Sequence, residues 1–126
     1  MEFNNKKSIY SQISDLICEN ILLGRFLEEE RIISIRDMAS NLEVNPNTVM
    51  RAYNFLQDVG ILYNKRGIGF FISKDAKNSI ITLRKSAFIN KDLPEVFKES
   101  SLYGISPEEL YKLYSNYIKG EEIEKK

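Results

Sequence analysis

Apolar residues recur at intervals of three and four between Ser8 and Leu23, placing Ile9, Ile13, Leu16, Ile17 and Ile21 on one helical face. Ser8 can cap the start of this helix and Gly24 can close its end. A loop from Arg25 to Ile33 follows, with Phe26 and Leu27 expected to tuck onto the core. Ser34-Ile35-Arg36-Asp37 then reads as a capping box: the serine hydroxyl accepts from the third-residue amide and Asp37 reaches back. Ile35, Met38, Ala39 and Leu42 form the buried stripe of that short helix. After a turn at Glu43-Val44, Asn45 is a strong helix cap and Pro46 suits the first helical position, so a helix is predicted from Pro46 to about Asp58. At about 100° per residue, Val49, Ala52, Tyr53 and Leu56 gather on one side. Asn47, Arg51 and Asn54 gather on the other, with Thr48 at its flank.

The pattern changes after Gly60. Ile61–Asn64 and Phe70–Ser73 read as two short strands, and the two glycines in Lys65-Arg66-Gly67-Ile68-Gly69 mark a tight hairpin tip between them. Beyond this, Ala76 to about Ile89 is loosely helical, with Ile80, Ile81, Leu83 and Ala87 apolar. Pro94 interrupts or begins a further helix that carries Leu93, Val96, Phe97 and Leu102, and Gly104 stops it. Ser106-Pro107-Glu108-Glu109 starts a last helix, in which Leu110, Leu113, Tyr114 and Tyr117 fall on one face. Glu121 to Lys126 is a charged tail expected to fray.

This order of elements predicts an α+β, mostly helical chain. Residues 1–75 form a winged helix-turn-helix of three helices plus a two-stranded hairpin wing, and residues 76–120 form a short helical dimerisation segment. Residues 121–126 form the tail.

Composition narrows what such a chain does. Histidine is absent and Cys18 is the single cysteine, so no internal disulfide forms and zinc has few ligands to use. No cofactor, metal or nucleophile–base pair is expected, and an enzyme is a poor reading. Cys18 falls in the apolar helical pattern, where a small buried residue is the ordinary reading and a reactive thiol is unsupported. No apolar run approaches the roughly 20 residues needed to cross a bilayer, and Met1–Lys7 lacks the apolar core of a secretory signal. A cytoplasmic location follows as the expectation, with no membrane partner.

The formal charge is zero, with 18 basic and 18 acidic residues, whereas nucleic-acid-binding domains are usually basic. Local charge matters more than the total. Glu28, Glu29 and Glu30 make one acidic block, while Arg36, Arg51, Lys65 and Arg66 fall on the candidate reading surface. Arg51 can pair bidentately with guanine and Asn47 with adenine. Arg36 lies in the first turn of a helix, where free amides and the dipole favour a phosphate. Taken alone, the Asn-Thr-Arg face is an ordinary solvated surface and the basic hairpin an ordinary turn. Capped short helix, turn, capped longer helix and basic glycine hairpin in this order point to double-stranded DNA. The competing class is a winged-helix protein-interaction module. The apolar and aromatic residues Phe88, Phe97, Leu102, Leu110, Leu113, Tyr114 and Tyr117 are too many for a short helical segment to bury alone, so they are expected at a homodimer contact. The competing arrangement packs them back onto the winged domain.

The chain resembles the GntR family of bacterial transcription regulators, in its short YtrA-type branch. The resemblance runs closely from Ile9-Tyr10 with Gln12-Ile13, through Gly24 and Ser34-Ile35-Arg36-Asp37-Met38-Ala39, to Val44-Asn45-Pro46-Asn47-Thr48-Val49 with Arg51-Ala52-Tyr53. Leu56, Gly60 and Arg66-Gly67-Ile68-Gly69-Phe70-Phe71-Ile72 complete it, and Gly104-Ile105-Ser106 with Glu108-Glu109-Leu110 is similar to that branch's last helix. Ile33 stands where the family usually has proline, and Glu29 where it usually has glycine. The resemblance implies a dimeric repressor on an inverted-repeat operator, often beside transporter genes. It implies that Arg36 contacts backbone or base, that Asn45, Asn47, Thr48 and Arg51 approach the major groove, and that Arg66 with Gly67 occupies the wing tip; Pro46, Asn54 and Lys65, read from the pattern of the chain, complete the candidate DNA-binding set. Any small-molecule effector stays unknown.

Overall fold

The computed structural model describes residues 7–120, so the charged tail at 121–126 lies outside the described residues. Six α-helices and one hairpin follow in the order α1 (Ile9–Leu22), α2 (Ile35–Leu42), α3 (Pro46–Asp58), β1 (Leu62–Lys65), β2 (Gly69–Ile72), α4 (Ala76–Ala87), α5 (Leu93–Leu102) and α6 (Pro107–Ile118). A single π-helical segment, Phe88–Asp92, stands between α4 and α5. Two compact units divide the chain, the first ending at Leu83 and the second starting at Arg84.

In the first unit the helix starts are those the capping residues dictate. Ser8 Oγ accepts from the Ser11 amide at 3.3 Å, Ser34 Oγ from the Asp37 amide at 3.0 Å, and Asn45 Oδ1 from the Asn47 amide at 2.8 Å. Each bond satisfies an amide that the first turn of a helix leaves without a partner. Glu43 leaves α2 in the left-handed conformation at φ 55°, and the Val44 amide bonds back to the Ala39 carbonyl at 3.1 Å, which closes the turn into α3. Ile13, Ile17 and Ile21 of α1 meet Val49, Ala52, Tyr53 and Leu56 of α3 in a fully buried core, joined by Met38 and Ala39 of α2 and by Ile61, Leu62 and Ile72. Each buried isoleucine or leucine contributes about 1.5–3 kcal/mol relative to exposure.

Several expectations change. Ile9 stays 44% exposed because it opens α1, and Leu27 is half exposed rather than tucked in; Phe26 alone of that pair packs on the core. The core also continues beyond residue 75, since Ala76 and Ile80 of α4 are fully buried in it. The hairpin pairs Leu62 with Ile72, Tyr63 with Phe71, Asn64 with Phe70 and Lys65 with Gly69. That is one residue nearer the tip than the apolar pattern predicts at both ends. The Ile61 amide donates to the Leu56 carbonyl at 2.8 Å as the chain leaves α3, while its carbonyl still accepts from the Ser73 amide at 2.9 Å.

The predicted loop before α2 adds a third edge to the hairpin. The Glu29 amide donates to the Ile72 carbonyl at 2.7 Å, the Ile72 amide to Glu30 at 2.9 Å and the Ile32 amide to Phe70 at 3.0 Å, with Arg31 bridged to Phe71. Charged residues dominate this stretch, so no alternating pattern betrays it. Its acidic residues have specific uses: the Glu28 carboxylate accepts from the Asp75 and Lys77 amides at 3.0 and 3.3 Å, capping α4.

In the second unit, Pro94 explains the π-helical segment. It has no amide to donate, and its ring excludes the carbonyl four residues earlier, so the ladder skips a bond there. The Ile105 amide closes α5 on the Ser100 carbonyl at 2.9 Å, and Ser106 Oγ accepts from the Glu109 amide at 3.1 Å to start α6.

Candidate nucleic-acid interface

With Val49, Ala52, Tyr53 and Leu56 turned inward, the remaining side of α3 is set by helical geometry. Asn47, Arg51 and Asn54 are exposed and Thr48 is half-buried at the flank, as the periodicity predicts. Asn45 and Pro46 are exposed at the helix start, and the Asn45 carbonyl oxygen is engaged in its cap, which leaves its NH₂ to approach a partner. Arg36 is exposed in the first turn of α2.

Arg51 is less free than its periodicity implies. Its guanidinium carbon lies 4.2 Å from the centre of the Tyr10 ring, and Tyr10 in turn meets Phe55 edge-on at 6.4 Å. Such a contact is worth about 0.5–1 kcal/mol at an exposed site and narrows the directions in which the guanidinium can point.

Tyr53 braces the face from inside. Its hydroxyl donates to the Ile33 carbonyl at 2.8 Å, and its ring meets Phe70 edge-on at 5.2 Å. One side chain of α3 thereby holds both the residue before the Ser34 cap and the base of the wing. Burial pushes its phenol well above the ordinary tyrosine range.

At the wing, Arg66 and Gly67 are exposed at the tip, and Gly67 takes φ 79°, which suits glycine. Lys65 extends over the Phe71 ring at 4.4 Å, and Tyr63 stacks on Phe71 at 5.6 Å. Among the described residues none of Arg36, Arg51, Lys65 and Arg66 has a carboxylate within 4.0 Å; the ion pair found joins Lys7 to Asp15.

Two residues escaped the sequence reading. Met50 is 43% exposed on the outward side of α3, three residues from Asn47, where helical spacing alone could have found it. Arg31 lies against Gly69 beside the wing tip, and nothing local signals this, because a tertiary strand pairing puts it there. In the second unit, Phe88, Phe97, Leu102, Tyr114 and Tyr117 are at least half exposed, and Leu113 is exposed too. Leu110 is half-buried and, with Phe97, lines an apolar groove of about 630 Å³.

Two capped helices about a tight turn, a polar outward face on the second and a basic hairpin after it define a winged helix-turn-helix DNA-binding regulator. The family model "Bacterial regulatory proteins, gntR family" matches residues 9–72. The chain is 30% identical over 119 residues to the HTH-type transcriptional regulator YhcF of Bacillus subtilis (strain 168), covering 94% of this chain and 97% of that protein. It is 32% identical over 103 residues to the HTH-type transcriptional repressor YtrA of the same organism, covering 82% and 78%. A crystal structure of a GntR-family regulator from Bacteroides thetaiotaomicron superposes with a TM-score of 0.74 at 46% identity, over 89% of this chain and 97% of that one. The chain belongs to the GntR family, in its YtrA-type branch, whose members are transcription regulators and not enzymes. Among the described residues no helix is long and apolar enough to cross a membrane.

Proposed function

We propose that this protein is a repressor that binds an inverted-repeat operator as a homodimer in the cytoplasm, excluding other proteins from the DNA it covers. The observation that carries the reading is the division of α3: one side fully buried, the other presenting Asn47, Arg51 and Asn54 with no acidic partner within 4.0 Å for the arginine among the described residues. Asn47 and Arg51 read base edges, Asn45, Pro46, Thr48 and Asn54 frame them, Arg36 holds a backbone phosphate, and Arg66 with Gly67 enters the neighbouring minor groove, flanked by Lys65. The similarity to YtrA, a transcriptional repressor, supports the direction of regulation.

Dimerisation rests on the exposed apolar side chains of the second unit, Leu102 at 73% exposure foremost. A second copy covering Phe88, Phe97, Leu102, Leu110, Leu113, Tyr114 and Tyr117 removes them from water and allows two α3 helices to reach half-sites about 34 Å apart.

Mobility shift on the DNA upstream of the protein's own gene, with a salt titration, tests the reading, alongside sedimentation of the full chain. A specific complex whose log affinity falls steeply against log salt, and a particle of twice the chain mass, are expected. A monomer at all concentrations overturns the dimer. Absence of any retained duplex overturns the DNA assignment in favour of a protein-binding surface.

A further inference from the structure

Arg31 lies outside the residues that the helix-turn-helix and wing tip account for. It belongs to the third edge of the hairpin and bridges Phe71. Its side chain runs along Gly69: a Cβ at that glycine would sit 2.9 Å from the Arg31 Nε and 3.1 Å from its Nη2. Gly69 also adopts φ 142°, which strains any side chain, and a Cβ there would make the movable end of Arg31 give way. The cross-strand partner of Gly69 is Lys65, whose ammonium stands over Phe71. Arg31 and Lys65 therefore share one face of the wing, on either side of β2 and next to the exposed Arg66-Gly67 tip.

Neither cation has a carboxylate within 4.0 Å among the described residues, although the chain carries as many acidic as basic side chains. Two like charges on one face without a counter-charge repel, and an anion between them reverses the sign. The two groups are also complementary. A guanidinium offers a planar pair of donors to phosphate oxygens, and an ammonium adds a point charge from the other side.

We propose that Arg31 and Lys65 form a clamp for one backbone phosphate of the duplex, beside the wing and independent of base sequence. The absent side chain of Gly69 gives the arginine its berth. The clamp rests on the DNA-binding reading above and adds a phosphate grip that sets register rather than sequence choice.

Fluorescence anisotropy of the full chain on a labelled random-sequence duplex of about 30 base pairs tests it, with salt titrated between about 0.05 and 0.3 M. Arg31→Gln keeps the stem and the strand pairing but removes the charge. It is expected to weaken binding about three- to tenfold near 0.1 M salt and to lower the log–log salt slope by about 0.9 for the phosphate it no longer neutralises. Arg31→Lys keeps most of the slope, and Gly69→Ala, which displaces the guanidinium, moves both readouts toward Arg31→Gln. Arg25→Gln removes the same charge from an exposed arginine at the end of α1 and leaves the slope unchanged. Should Arg31→Gln reduce the folded fraction, Lys65→Gln at the exposed partner gives the same weakening. Wild-type duplex binding with Arg31→Gln or Lys65→Gln indistinguishable from Arg25→Gln overturns the clamp and leaves the DNA reading standing. No binding by the wild type overturns both.

Discussion

Replacing Tyr53 by phenylalanine removes one oxygen from the middle of the first unit. The ring is fully buried and still fills its place against Phe70, so no cavity opens. The loss is the 2.8 Å bond to the Ile33 carbonyl, leaving that acceptor without its phenol donor. Deleting one side of such a bond costs about 1–1.5 kcal/mol. The pH dependence carries a second, independent magnitude. Burial holds the native phenol protonated well above the ordinary range, while the unfolded chain releases its proton near 10.0. The sign is that of a raised native pKa: the stabilisation is complete below the unfolded value and is lost as pH climbs above it. By pH 11 ionisation of the unfolded Tyr53 favours unfolding of the wild type by about 1.4 kcal/mol, following about 1.36 kcal/mol per unit, and phenylalanine has no such term. The wild type is therefore more stable at pH 7 by about 1–1.5 kcal/mol, and the two proteins converge near pH 11. Urea unfolding of both at equal concentration from pH 7 to 11, followed by circular dichroism, measures the difference; equal concentration matters because a dimer adds mass-action stability. A difference that stays constant over the range refutes the argument, because it would mean that the phenol ionises as readily folded as unfolded.

Other outcomes follow from the same packing. Ile80→Ala is expected to cost about 2–4 kcal/mol and Leu83→Ala under about 1 kcal/mol in the same unfolding assay, because Ile80 is fully buried in the first unit and Leu83 is 49% exposed. Glu29→Gly is expected to raise stability by about 0.5–1 kcal/mol: the residue sits at φ 70°, a strain of about 1–2 kcal/mol for a side chain, partly offset by glycine's larger unfolded entropy. A destabilised Glu29→Gly would place the strain elsewhere. Arg51→Ala is expected to lose about 1–3 kcal/mol of discrimination at one base pair of a selected site, read as the ratio of specific to scrambled binding by mobility shift. Tyr10→Leu, which removes the ring under Arg51, should lower that ratio in the same direction but less; an unchanged ratio would make the stacking incidental to reading.

Helix starts and the outward face of α3 were legible because each depends on residues close in sequence. Ser34 and Asn45 bond amides two or three residues away, so their chemistry announces the boundary wherever the helix later docks. The 3.6 period divides α3 into a buried and an exposed side without reference to the rest of the chain, and Val49, Ala52, Tyr53 and Leu56 fall as that period requires. The YtrA-type likeness was carried by the same short-range motifs. What depends on partners far along the chain stayed hidden. The strand edge at Glu29–Ile32 exists only because β2 offers it carbonyls and amides, and three charged residues before one isoleucine give no alternation to betray it. The strand bounds slid one residue toward the wing tip with the register unchanged, because the exit from α3, rather than the apolar pattern, fixed where the Ile61 amide bonds. The ring beneath Arg51 and the arginine beside Gly69 come from α1 and from the third strand edge, so their places are set by packing between elements. The sequence alone determined which side chains face outward on the third helix, since that is a matter of helical angle. How the arginines at positions 31 and 51 are steered came from packing between elements, because ring stacking and strand pairing join residues that no local period connects.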